Sequence, residues 1–155
     1  MSQTKDPFNS PFGSLFGDFM TIAALDEAGH YAYEGSAKPV ENLSLHPGTH
    51  VLHYASACFE GLKAHRQVDS SLAVFRVDDH VARMIQSVAK VCMTPPPAEL
   101  LRQMIIDAVE ANASQTPAAP GSLYIRPTMI GTLLNIGAAA APSPTGLLYV
   151  ICSPV

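Results

Sequence analysis

The residues of this sequence that could do chemistry are few: two arginines, Arg83 and Arg126, Tyr124 two positions before the second, and the rings of Tyr54 and Phe59 on either side of a short stretch leading to Glu60. A guanidinium keeps its charge and presents a planar fork of donors, so the surroundings of each arginine decide what it can hold. Arg83 lies off the apolar stripe of its segment, on one helical face with Asp79, His80, Ser87 and Lys90. Periodicity by itself predicts a solvated arginine pairing with Asp79 one turn back, a contact worth about 0.3–0.5 kcal/mol. Tyr124 and Arg126 are two apart in an extended run, so they project to one side while Leu123 and Ile125 pack beneath. Pro127 follows them and cannot donate to a ladder, which predicts a sheet edge or a bend and leaves the pair facing either solvent or a cleft. Glu60, beside Gly61, reads as a solvated or capping carboxylate with no catalytic role.

Other chemistries find less support. His46, His50 and His53 have gaps within ligand range, yet they fall in a turn and no carboxylate or thiolate completes a set, so capping or solvated histidines are expected and no metal site. Cys58, Cys92 and Cys152 form no Cys-x-x-Cys pair and sit in apolar contexts, which predicts buried thiols in a reduced, cytoplasmic protein. A formal net charge of -4 with nine Lys and Arg spread along the chain argues against a nucleic-acid footprint. No apolar run reaches the roughly 20 residues of a membrane helix, and the N-terminus lacks the basic start and apolar core of a signal peptide. Charged residues are only 14% of the chain, against about a quarter in ordinary soluble domains, so a face covered by another domain or subunit is expected.

The elements that must position these side chains follow from the patterning. Residues 1–11 read as a loose lead-in, and Phe12 to Met20 as an aromatic-rich strand or turn. Tyr31 to Val40 alternates weakly, giving short strands before a turn at Pro47-Gly48. Tyr54, Cys58 and Phe59 recur at the spacing of one helical face, with Gly61 ending the turn. Gly61–Gln67 and Ser71–Arg76 form a hairpin about Val68-Asp69-Ser70. Asp78 or Asp79 can cap a helix whose stripe is Val81, Met84, Ile85, Val88 and Val91. Pro95-Pro96-Pro97 ends that helix and opens another, with Leu100, Leu101, Met104, Ile105, Ala108 and Val109 buried. A link at Ala113–Gly121, a strand at Ser122–Thr132, a loop and a last apolar strand at Leu147–Cys152 complete an α+β fold, a largely antiparallel sheet with two main helices packed on it.

The string His53-Tyr-Ala-Ser-Ala-Cys-Phe-Glu-Gly-Leu-Lys-Ala64 resembles the opening signature of the branched-chain amino acid aminotransferases, fold-type IV enzymes that use pyridoxal phosphate (PLP). Phe75-Arg76 with Asp79–Met84, Leu123–Thr132 and Leu147–Val155 keep the order and approximate spacing of that family, so the likeness runs from Phe12 to the last residue. Gly17-Asp18-Phe19-Met20 departs from the Thr-Asp-His-Met common in relatives.

The resemblance implies that Arg83 clamps the PLP phosphate, that Phe12, Tyr54, Phe59 and Tyr124 wall the substrate pocket, and that Arg126 meets the distal carboxylate of glutamate or 2-oxoglutarate. It identifies residues 12–155 with the N-terminal small domain of such an enzyme. The lysines are Lys5, Lys38, Lys63 and Lys90. None stands in the Lys-x-Gly-Gly-Asn-Tyr context that carries the family's cofactor lysine, so the chain has no catalytic residue of its own and is expected to be inactive alone. The partners implied are a PLP-binding C-terminal domain, a second copy in a homodimer, and small amino and 2-oxo acids. Two other readings remain at this point: a non-enzymatic dimerisation or binding module, and a domain of a related class IV enzyme, a D-amino acid aminotransferase or aminodeoxychorismate lyase.

Overall fold

The alternation of Leu123–Gly131 builds the central strand of the molecule, because its buried residues Leu123, Ile125 and Met129 all face the helices while Tyr124, Arg126 and Thr128 stand on the other side. The computed structural model describes residues 6–139 and 141–155. Its strands are β1 (Phe19–Leu25), β2 (Tyr31–Tyr33), β3 (Lys38–Pro39), β4 (Ala57–Phe59), β5 (Leu62–Arg66), β6 (Leu72–Val74), β7 (Leu123–Gly131) and β8 (Gly146–Pro154). The helices are α1 (His50–Tyr54), α2 (Val77–Lys90) and α3 (Ala98–Ala111). The order across the sheet is β2-β1-β8-β7-β5-β6, with β3 on β1 and β4 on β7, and all of these pairings are antiparallel. The expected α+β architecture is therefore present, with one short helix added. Of the lead-in, residues 1–5 lie outside the described ones; Pro7–Asn9 form a 3-10 turn capped by the Asp6 side chain.

The core sits between one face of this sheet and the two long helices. Met84 and Val88 of α2 and Leu101, Met104 and Ile105 of α3 are fully buried against Ile125, Met129, Leu148 and Val150. Each such side chain contributes about 1.5–3 kcal/mol on leaving water. Thr21 of β1 is equally buried and donates its hydroxyl to the Met104 carbonyl of α3 at 3.1 Å. Thr21→Val keeps the shape and removes that bond, so chemical denaturation should show a loss of about 1 kcal/mol.

Several expectations need correction. Cys58 and Phe59 are not helical: α1 stops at Tyr54, where Ala55 turns left-handed (φ 51°), and the chain then enters β4. Gly61 lies between β4 and β5 instead of closing a helix. Arg76, itself left-handed, is the N-cap of α2, while Asp78 and Asp79 occupy the first turn, where their charge suits the helix dipole. That helix ends at Lys90, well before the proline run, and Pro97 caps α3. Pro127 is buried in a central strand, not at an edge. Its carbonyl accepts from the Glu60 N–H at 3.0 Å, so its missing N–H falls at the break between β4 and β5, where no ladder bond is lost. Cys92 is exposed, at a positive φ of 58°, whereas Cys152 is buried and Cys58 half-buried. Burial pushes the Cys152 thiol up to about 12 and that of Cys58 up to about 11, so neither is a nucleophile at neutral pH.

Candidate functional site

The side of the sheet away from the helices carries Tyr124 and Arg126 from β7, with Ser153 directly opposite Tyr124 and Ile151 opposite Arg126 on β8. The segment before β1 closes over them, tied down where the Gly17 N–H donates to the Cys152 carbonyl at 2.8 Å and the Phe19 N–H to Asn112 Oδ1 at 3.1 Å. Phe12 and Phe16 from this segment complete the walls of a cavity of about 220 Å³. Phe12 meets the Tyr124 ring edge-on, with centroids 5.0 Å apart. Arg126 Nη2 donates to the Tyr124 hydroxyl at 3.0 Å, and its guanidinium stacks 4.5 Å from the centroid of Phe59. Phe12, Phe59, Tyr124 and Arg126 are thus brought to one place.

Gly61 is part of the same arrangement. A Cβ there would lie 2.3 Å from the Tyr124 hydroxyl and 3.0 Å from its ring, so the tyrosine rests on the bare backbone of this glycine. Immediately before it, Glu60 turns toward the helices and is 6% exposed, which corrects its reading as a solvated group. Its two oxygens receive Nε and Nη2 of Arg83 from α2, one of them also accepts the Gly61 N–H at 2.7 Å, and His80 Nδ1 lies 3.6 Å away. Burial pushes the Glu60 carboxyl up, but Arg83, the Gly61 amide and His80 outweigh it and hold the group below the usual range. Arg83 therefore pairs with Glu60 and not with Asp79, which takes Arg76 at 2.6 Å. The Arg83 side chain remains 62% exposed and Nη1 has no partner among the described residues. It does not line the Phe12–Tyr124 cavity; the two are joined through the consecutive residues Glu60 and Gly61.

Tyr54 stands apart. Its hydroxyl donates to the Ile136 carbonyl and its ring packs near His50, bordering a separate depression with Lys90 and Cys92. His50 is buried, with Nδ1 2.8 Å from Ser56 Oγ and Nε2 3.2 Å from the Ala141 carbonyl, so it is a satisfied core group and not a solvated one. His46 accepts from the Gly48 N–H and His53 bonds the Pro47 carbonyl, both local turn contacts. Among the described residues no three His, Cys, Asp or Glu side chains gather as metal ligands would.

Among the polar residues here, sequence reasoning missed Glu60 as a buried clamp and Ser153 as a wall of the cavity. The only signal for either was a polar residue interrupting an apolar or extended run.

No family model matches the chain. Individual proteins do: it is 38% identical over 157 residues to the cytosolic branched-chain-amino-acid aminotransferase of Rattus norvegicus, covering 100% of this chain and 37% of that one. It is 45% identical over 149 residues to the mitochondrial enzyme of Saccharomyces cerevisiae (93% and 36%), and 35% identical over 154 residues to branched-chain-amino-acid transaminase 1 of Bacillus subtilis (99% and 42%). The chain is similar to the branched-chain aminotransferases from end to end. It spans about two fifths of the length of these curated relatives. The fold agrees: a solved branched-chain amino acid aminotransferase complexed with N-(5'-phosphopyridoxyl)-L-glutamate superposes with a TM-score of 0.67 over 90% of this chain and 41% of that one, at 23% identity. The holo-form enzyme of Thermobaculum terrenum gives 0.64 at 18% identity, again over 90% of this chain and 41% of its own. Relatives carry cytosolic, mitochondrial and chloroplastic names, and no helix among the described residues is long and apolar enough to cross a membrane.

Proposed function

We propose that residues 12–155 form the substrate- and phosphate-binding small domain of a PLP-dependent branched-chain-amino-acid transaminase, which moves the amino group of leucine, isoleucine or valine to 2-oxoglutarate. The observation that carries this reading is the end-to-end similarity to aminotransferases of that name. The site chemistry fits. PLP, when bound, supplies the electron sink that lets the substrate's α-proton leave. Glu60 takes the Nε edge of Arg83, and the Nη1 side left over offers planar donors to a phosphate. Phe12 and Tyr124 wall an apolar space in which each buried substrate methylene counts about 0.8 kcal/mol, and Phe59 extends it from beneath the Arg126 guanidinium. Arg126 receives a distal carboxylate, so that one pocket serves a leucine-like side chain and an acidic one in turn. Tyr54 joins this wall only if its separate depression opens toward it.

In this reading the amine that holds PLP belongs to the C-terminal domain of the enzyme, and the 155 residues alone do not transaminate. Phe12, Phe16, Phe59 and Phe75 are each about half exposed or more, and meet that domain or a second copy in a homodimer. We place the enzyme in the cytoplasm with its cytosolic relatives.

The test is a PLP titration followed by absorbance and by the 31P resonance of the cofactor. Arg83→Lys keeps a cation beside Glu60 but loses the planar fork, and should weaken PLP binding about tenfold, or 1.4 kcal/mol. Unchanged affinity would remove the phosphate assignment.

A further inference from the structure

Two buried side-chain polar atoms among the described residues have no hydrogen-bond partner, Arg126 Nε and Ser153 Oγ. Both belong to side chains lining the same cavity of about 220 Å³. Folded proteins leave few such atoms unpaired, so two in one cavity call for an acceptor that occupies it. Ser153 is only 6% exposed and faces Tyr124 across the β7–β8 ladder.

The chemistry of the acceptor follows from what the cavity offers. Arg126 gives Nε–H. The Tyr124 hydroxyl already accepts from Arg126 Nη2 and so has its own proton to donate. The Ser153 hydroxyl can rotate to donate as well. No carboxylate lines the space, and Phe12, Phe16 and Ile151 make its remaining walls apolar. Converging donors above an apolar lining suit a planar oxyanion on a short hydrocarbon stem.

We propose that Ser153 is a specificity-determining residue: with Arg126 Nε it receives the distal carboxylate of a dicarboxylic 2-oxo or amino acid, and so favours that substrate over one ending in methyl groups. This rests on the reading of the cavity as the substrate pocket, and adds to it the residue that tells the two substrate classes apart. Both atoms are closed to water as the side chains stand, so the ligand must displace a wall. Phe12, 65% exposed and held by one edge-on contact, is the side chain that moves.

The experiment measures binding of 2-oxoglutarate and of 4-methyl-2-oxopentanoate, which lacks the distal carboxylate, to the 155-residue protein by amide chemical shifts. Ser153→Ala should weaken 2-oxoglutarate about tenfold and leave the methyl-ended acid unchanged, while Ser153→Thr keeps the preference. If Ser153→Ala disturbs folding, Ser153→Cys, similar in size with a weaker donor, should give an intermediate loss confined to 2-oxoglutarate. Equal weakening of both acids means a structural role and overturns the proposal. Unchanged affinities mean that the Ser153 hydroxyl takes no part in holding the carboxylate, which also overturns it. Arg126→Ala separates the two levels. If it abolishes 2-oxoglutarate binding while Ser153→Ala does not, only the serine assignment fails. If Arg126→Ala leaves 2-oxoglutarate binding unchanged, the pocket reading itself falls.

Discussion

Gly61→Ala should cost about 2–3 kcal/mol of stability and empty the candidate pocket of its geometry at once. The added methyl would stand 2.3 Å from the Tyr124 hydroxyl and 3.0 Å from its ring carbon. Tyr124 cannot give way by a small rotation, because its hydroxyl is bonded to Arg126 and its ring is met edge-on by Phe12. The backbone is no softer: Gly61 lies between Phe59 and Leu62, which are both paired to β7. Either the tyrosine leaves Arg126 or β5 parts from β7. The double variant Gly61→Ala/Tyr124→Phe removes the nearest atom while the ring carbon stays close, so it should recover a part of the loss and not all of it. Thermal unfolding of the four proteins of that cycle decides the matter. A Gly61→Ala protein as stable as wild type would show that Tyr124 does not rest on this glycine.

The same contact shows why some of this architecture could be read from residues and some could not. The stripe of α3 and the alternation of β7 were legible because burial on one face leaves a period in the sequence, 3.6 for Leu101, Met104, Ile105 and Ala108 and 2 for Leu123 to Pro127. The hairpin between β5 and β6 announced itself through Asp69 and Ser70. What leaves no period was misjudged. Pro127 sits mid-sheet because a neighbouring strand happens to break opposite it, a fact about the partner and not about the proline. Cys58 and Phe59 fit a helical spacing over too few residues to exclude a strand, and the left-handed Ala55 that ends α1 is a residue type with no preference for that conformation. Tyr54 and Phe59 lie five apart in sequence, yet that reversal sends one toward Ile136 and the other over Arg126. Arg83 was placed on the correct face of its helix. Its partner came from the sheet, beyond the reach of any i, i+4 rule.

That partner sets the second large effect. Glu60→Gln should lower stability by about 2 kcal/mol at neutral pH, since a charged hydrogen-bonded pair is replaced by a neutral contact while Arg83, mostly exposed, is left to water. The sign with pH follows from the direction of the Glu60 shift. Against the upward push of burial, Arg83, the Gly61 amide and His80 hold the folded carboxylate below its ordinary range. The pair's contribution is therefore fully present above that range, about 4.3, and is lost as pH falls through it toward the folded value. The gap between wild type and Glu60→Gln should close in acid, and denaturant midpoints measured from neutral pH down to about 3 should converge. A gap that stays constant with pH would mean that the glutamate acts through its shape and not its charge. Arg83→Ala removes the other half and should be the more damaging change, because it leaves a carboxylate buried with only one backbone amide and His80 for company. Its Glu60 must then take up a proton to stay inside, so its gap to wild type should also close as pH drops, and more steeply than that of Glu60→Gln. Two gaps that both close in acid, that of Arg83→Ala the more steeply because its buried carboxyl gains a proton within the fold, are what an ion pair with one buried and one exposed end requires.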